Sequence, residues 1–178
     1  AQYRALNLAM GLLSSAYLKS NKDTKQESYK NAIKSLTNSN PIFSEIEFGR
    51  GVDTLSLVTQ RIKKDFKSSI KNGLARGERN LTSYKRNFPL MTRGRDLKFR
   101  YEGDDIVIRW VNKIEFNVIT GSNKIKENTV ELKHTLHKVI NKEYNVKESS
   151  LMFDKNNNLI LNLTLDIPNE LSYQPIEG

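Results

Sequence analysis

Thirteen basic side chains fall within residues 61–100: Arg61, Lys63, Lys64, Lys67, Lys71, Arg76, Arg79, Lys85, Arg86, Arg93, Arg95, Lys98 and Arg100. Only three acids, Asp65, Glu78 and Asp96, stand among them, so this stretch carries +10 of a whole-chain net charge of +9. The rest of the chain sets sixteen bases against seventeen acids. A surface that serves solubility alone interleaves both signs. A segment this one-sided points to a polyanionic partner, either nucleic acid or an acidic membrane surface. Each Lys or Arg that meets a phosphate releases a condensed counterion, so binding of this kind weakens steeply as salt rises.

Within that stretch, residues 83–90 read SYKRNFPL. Tyr84 is placed to stack on a base or sugar while Lys85 and Arg86 hold phosphates. An equally weighted reading makes Tyr84 and Phe88 core anchors of the following strand. His134 and His137 stand three apart on a predicted helix, a spacing that presents two imidazoles to one metal. No carboxylate completes that set, and a polar helix carries surface histidines by chance. Asp104, Asp105 and Asp154 read as turn residues. The chain has no phosphate-cradling glycine loop, nucleophile elbow or Ser/His/Asp order. With zero cysteines it has no disulfide, thiolate zinc site or thiol nucleophile. The expectation is a chain without a catalytic centre, metal or cofactor of its own.

The elements that must position these residues follow from hydrophobic period. Leu6, Met10, Leu13 and Tyr17 recur at spacings of three and four, which predicts an amphipathic helix over about 2–20. A weaker helix over 26–36 carries Tyr29, Ile33 and Leu36, and Asn38, Ser39, Asn40 and Pro41 break it. Asp53 suits the N-cap of a third helix with the stripe Leu55, Val58, Ile62, Phe66 and Ile70. Arg61, Lys64, Lys67 and Lys71 lie off that stripe, and Gly73 and Gly77 mark where the helix stops. From residue 97 the period changes to two. Leu97, Phe99 and Tyr101 alternate with polar neighbours, a hairpin leads into 106–111, where Trp110 reads as core, and 114–119 is a third strand. A turn at 121–123 precedes a helix over 128–144 with Val130, Leu136, Val139 and Ile140 as core candidates. Residues 151–153 and 159–167 form a last hairpin about 154–158. The outcome is an α+β chain with helices first and a boundary near residue 80.

No stretch approaches the roughly 18 apolar residues of a membrane span, and no signal-peptide pattern opens the chain. The expected setting is a bacterial cytoplasm, with no membrane partner.

The order of these features resembles a family. RALNLAMGLLSSAY (4–17), QRIKKDFKSSIKNGLARGE (60–78), SYKRNFPL and EYNVKESSLMFDKNNNLILNLTLDIP (143–168) together resemble the N-terminal part of miniature type V CRISPR effector nucleases of subtype F, relatives of the transposon-encoded TnpB proteins. The resemblance implies a helical recognition domain over 1–80. It also implies a wedge domain over 81–172, a β-barrel similar to oligonucleotide-binding folds with one helix, and a linker at 173–178 toward a RuvC nuclease domain. It implies that guide RNA and the RNA–DNA heteroduplex are held here and that a protospacer-adjacent motif is contacted, while base pairing reads sequence. A homodimer around one guide RNA is implied too, with Ile42, Phe43, Ile46 and Phe48 as contact candidates that core burial explains equally well.

Two departures from the family pattern stand out: the chain starts directly on a helix, without a leading strand, and ends where the RuvC domain is expected. It is therefore expected to be part of a longer nuclease, whose Mg2+ chemistry would belong to the absent domain. On charge and position, Arg61, Lys64, Lys67, Lys71, Arg76 and Arg79 are assigned to heteroduplex phosphates. Tyr84, Lys85 and Arg86, supported by Arg93, Arg95 and Arg100, are assigned to the duplex at the adjacent motif. The alternative is a stand-alone RNA- or DNA-binding protein without a nuclease domain. An enzyme for a small acidic substrate is disfavoured, because no convergent polar pocket is legible.

Overall fold

The computed structural model describes residues 2–36, 41–45, 54–111, 114–120 and 126–168. The expected cap Asp53, the break at 38–40, the turn at 121–123, the linker at 173–178, and Ile46 and Phe48 lie outside the described residues. The chain is α+β, with helices preceding small sheets. It divides into two compact units, one formed by Ala1–Thr92 and Ser150–Leu161, the other by Arg93–Ser149 and the chain from Asn162 onward.

In the first unit, α1 (Gln2–Lys19), α2 (Glu27–Lys34), α3 (Ile42–Glu45) and α4 (Thr54–Lys71) surround one core. The predicted stripe of α1 is buried in full, and Ala5 and Ala9 join it at zero exposure. Helix α1 packs against both α4 and α2. Tyr17, Tyr29 and Phe66 tie α1, α2 and α4 together, with Tyr17 edge-on to Phe66 at 5.6 Å and to Tyr29 at 6.1 Å. Each such pair adds about 0.5–1.5 kcal/mol beyond area burial. On α4, Val58, Ile62 and Phe66 are buried as the stripe predicts, and Leu55 and Ile70 are half-buried. Gly73, at φ 96°, turns the chain into the left-handed region after Lys71 and ends the helix. Phe43 is 1% exposed and belongs to this core, and Ile42 packs against it. Core burial, the other reading of these residues, describes Phe43.

The same unit holds a three-stranded sheet ordered β1 (Leu90–Thr92), β6 (Ser149–Phe153), β7 (Leu159–Asn162). The β6–β7 turn is the one expected at 154–158. The Asp154 carboxylate accepts from the backbone N–H groups of Asn156 and Asn158, each at 2.8 Å, and Asn157 takes φ 65°. A bond from the Asn158 side chain at 2.9 Å, first, and those from the backbone, second, hold the Asp154 carboxyl below its usual range.

In the second unit, β2 (Leu97–Glu102), β3 (Asp105–Trp110) and β4 (Ile114–Asn117) form an antiparallel meander in which Leu97 faces Trp110 and Ile108 faces Phe116. Trp110, Ile106 and Ile108 are buried. Helix α5 (Lys126–Ile140) packs on β2 through its unit's core side, with Leu136 and Val139 buried. Val130, a core candidate by periodicity, is 68% exposed; among the described side chains of α5 the buried apolar ones, Leu136 and Val139, lie in its second half. A two-stranded ladder pairs β5 (Asn145–Val146) with β8 (Leu165–Asp166).

The expected barrel does not form among the described residues. The strands divide into three separate sheets, and none closes. The physical reason lies at Leu163 and Thr164, inside what sequence reads as one strand over 159–167. There the Thr164 N–H donates to the Ser149 hydroxyl at 3.1 Å and the Thr164 carbonyl accepts from the Lys147 N–H at 2.8 Å. One apolar run thus serves two different sheets.

Gly94 lies in a short 3₁₀ turn (Gly94–Asp96), and a Cβ there would collide with the backbone carbonyl of Val146. Gly94→Ala is expected to destabilise the second unit by about 1–3 kcal/mol, since backbone must give way. Urea unfolding followed by fluorescence of Trp110, the one tryptophan, would read this unit directly. An unchanged midpoint would contradict the close approach.

Candidate nucleic-acid interface

Residues 61–92 hold two acids, and both are paired. The Arg61 Nε donates to Asp65 Oδ2 at 2.7 Å, one helical turn away on α4. The Arg61 guanidinium also lies over the Phe88 ring, 5.4 Å from its centroid. Arg76 meets Glu78 through two bonds of 2.7 Å. This pairing holds the Glu78 carboxyl below its usual range and raises Arg76, as the Asp65 bond raises Arg61. Two of the nine bases in this stretch are thereby neutralised within the fold.

The remaining seven are Lys63, Lys64, Lys67, Lys71, Arg79, Lys85 and Arg86. All are exposed, and none makes an ion pair among the described residues. Lys63, Lys67 and Lys71 advance by four along one flank of α4, the flank that also carries Ile70, and Lys64 lies further round from Val58, Ile62 and Phe66. At about 1.5 Å per residue the line from Lys63 to Lys71 is about 12 Å long. Lys63 contributes to the charge of the segment, yet sequence reasoning assigns it no phosphate. The i, i+4, i+8 series 63–67–71 is the signal that could have placed it.

Lys63, Lys67 and Lys71 also rim a cavity of about 560 Å³ between α1, α2 and α4, whose apolar lining is Leu13, Tyr29, Ile33 and Ile70. Burial pushes the Tyr29 phenol up to about 12, so it stays protonated at neutral pH.

The structure places the other assigned residues differently. Tyr84 is 4% exposed and packs edge-on to Phe88 at 5.0 Å. Its hydroxyl donates to Asp65 Oδ2 at 2.6 Å. A ring this buried offers no face to a base, so the core-anchor reading describes Tyr84. Lys85 and Arg86 project from the turn that follows, where the Phe88 N–H bonds the Lys85 carbonyl at 3.0 Å.

Two α1 amides fasten this segment, which sequence reasoning missed. The Asn7 side chain donates to the Tyr84 carbonyl and accepts from its N–H, both at 2.8 Å. The Gln2 side chain does the same for Met91, at 3.1 and 2.8 Å. Nothing in the spacing of 77 and 89 residues announces these contacts.

In the second unit the supporting arginines differ from one another. Arg100 is bound by Glu115 through two bonds of 3.0 and 3.1 Å and also reaches Glu102 at 3.4 Å. The pairing with Arg100 holds Glu115 below the usual carboxylate range. Arg95 and Lys98 are exposed, and Arg93 is half-buried. His137 is engaged by the Tyr101 hydroxyl at 2.7 Å and by the Asn141 amide at 2.9 Å, and His134 is exposed. Among the described residues no three His, Asp or Glu side chains gather as metal ligands would, and no helix is long and apolar enough to cross a membrane.

No protein-family model matches the chain, and neither does any curated protein.

Removing the phenol hydroxyl with Tyr84→Phe is expected to cost about 1.5–3 kcal/mol, as for a hydrogen bond to a charged group, while leaving nucleic-acid affinity unchanged. Burial, first, and the Asp65 carboxylate, second, raise the Tyr84 pKa above its ordinary value of 10. The folded state therefore holds this proton more tightly than the unfolded chain. Its contribution to stability is complete below about pH 10 and is lost as pH rises toward the folded value. Denaturant melts of wild type and Tyr84→Phe across pH 8–12 should converge at the alkaline end.

Proposed function

We propose that this chain binds nucleic acid through the lysine face of α4, as the non-catalytic guide-RNA and target-DNA-binding part of a CRISPR RNA-guided DNA endonuclease. The observation that carries the reading is the charge arithmetic in space. Both acids of residues 61–92 neutralise arginines, while four lysines on one helix face are left to solvent with no carboxylate among them. Surface lysines placed this close repel one another, and a polyanion that threads past them relieves the repulsion and releases counterions. The four stretches resembling subtype V-F effectors support the finer assignment of guide RNA, heteroduplex and adjacent-motif duplex. In that setting the protein supplies backbone contacts while base pairing supplies sequence choice. Lys85 and Arg86, on an exposed turn beyond the anchored Tyr84, suit the duplex phosphates near the adjacent motif.

Replacing Lys64, Lys67 and Lys71 by Gln is expected to lower the slope of log K against log salt by about two to three, roughly 0.7–0.9 for each phosphate no longer neutralised. Filter binding of the full chain to structured RNA and to duplex DNA over a salt series measures it. Arg100→Gln, which removes a cation already held by Glu115, is the comparison and should change the slope little. A slope identical in wild type and triple variant would remove α4 from the interface.

A further inference from the structure

The cavity on the lysine side of α4 has two chemically distinct parts. Its floor is apolar, formed at its surface by the half-buried Ile33 and Ile70 above the buried Leu13 and Tyr29, and its α4 rim carries Lys63, Lys67 and Lys71. No acid lines it. At about 560 Å³ it falls within the ordinary range of ligand sites, roughly 300–1,000 Å³. Such a site favours a ligand with a flat, weakly hydrated body and more than one negative charge beside it. A lone carboxylate would satisfy one lysine and leave two without an anion.

We infer that this cavity receives an unstacked nucleobase from a single-stranded or looped segment, with the flanking phosphates on Lys63, Lys67 and Lys71. This rests on the nucleic-acid reading above and adds to it a preference for the form of the strand. In a duplex the bases are paired and stacked, so their edges reach the grooves but no flat base face can settle on the apolar floor. An unpaired strand can turn one base onto the floor and keep its phosphates at the rim, the arrangement that single-strand-binding grooves use. The lysine line, about 12 Å long at 1.5 Å per residue, spans the phosphates on both sides of one nucleotide.

The test compares three probes of equal length on the intact chain: a single-stranded oligothymidylate, the same backbone made abasic, and a duplex. Wild type is expected to bind the oligothymidylate about tenfold more tightly than the abasic strand, the order of effect one base contact provides. Ile33→Trp, which fills the floor without changing charge, should erase that ratio while preserving the salt slope. Thr24→Trp at the mouth of the same cavity provides a second filling variant should Ile33→Trp fail to fold. Equal affinity of wild type for thymidylate and abasic strands, with a steep salt slope, would overturn the inference and leave the phosphate reading standing. Absence of salt-dependent binding to all three probes would instead defeat the nucleic-acid reading. Saturable binding of a fatty acid that the filling variants abolish, without discrimination between the strands, would assign the cavity to a small amphiphile and overturn the inference.

Discussion

The first unit depends on a set of polar clasps that fasten an irregular stretch of chain to helices far away in sequence. Asn7 and Gln2 each satisfy both backbone groups of one residue, Tyr84 and Met91, and the Tyr84 hydroxyl closes onto Asp65. A buried backbone amide without a partner costs about 1–3 kcal/mol, so a non-regular segment can be buried only if side chains replace the missing ladder. Here α1 provides that replacement. Residues 84–91 are held against α1 and α4, and β1 starts at a defined point.

The same clasp shapes the electrostatics. Asp65 accepts from both Arg61 and Tyr84, and Arg61 is further held by Phe88. The more buried of the two acids in residues 61–92 therefore neutralises a cation within the fold and contributes no negative field to the outer face of α4. Arg76 and Glu78 cancel in the same way beyond the helix end. What stays uncompensated is the lysine face, and beneath it lies the apolar cavity shared with α2. Charge and concavity coincide there because both follow from one helix, whose apolar stripe faces the core while its flank meets Ile33 and Tyr29.

The second unit follows a different logic. Its meander is a local structure, each strand pairing with the next; Glu115 on β4 meets Arg109 on the neighbouring β3 and reaches across it to Arg100 on β2. Its remaining strands are short, and beside β8 the Ser149 hydroxyl accepts the Thr164 N–H that no strand partner takes. That arrangement is compatible with small sheets and leaves the chain free to change partners in mid-run.

Local period and composition determined much of this protein. The core stripe of α1, the middle of the stripe of α4, the stop at Gly73, the 97–110 hairpin, the turn at Asp154 and the α+β class all follow from rules that act within a few residues, where hydrophobic spacing and backbone preference suffice. The concentration of charge in residues 61–100 is likewise a property of sequence alone. Only tertiary structure decided what became of each charge and aromatic ring. Whether Tyr84 meets solvent or Asp65, and whether Lys63, Lys67 and Lys71 border a cavity, depend on contacts between residues far apart in the chain. So does the division of the last apolar run between two sheets, because a strand's partner is chosen by hydrogen bonds that no local pattern encodes.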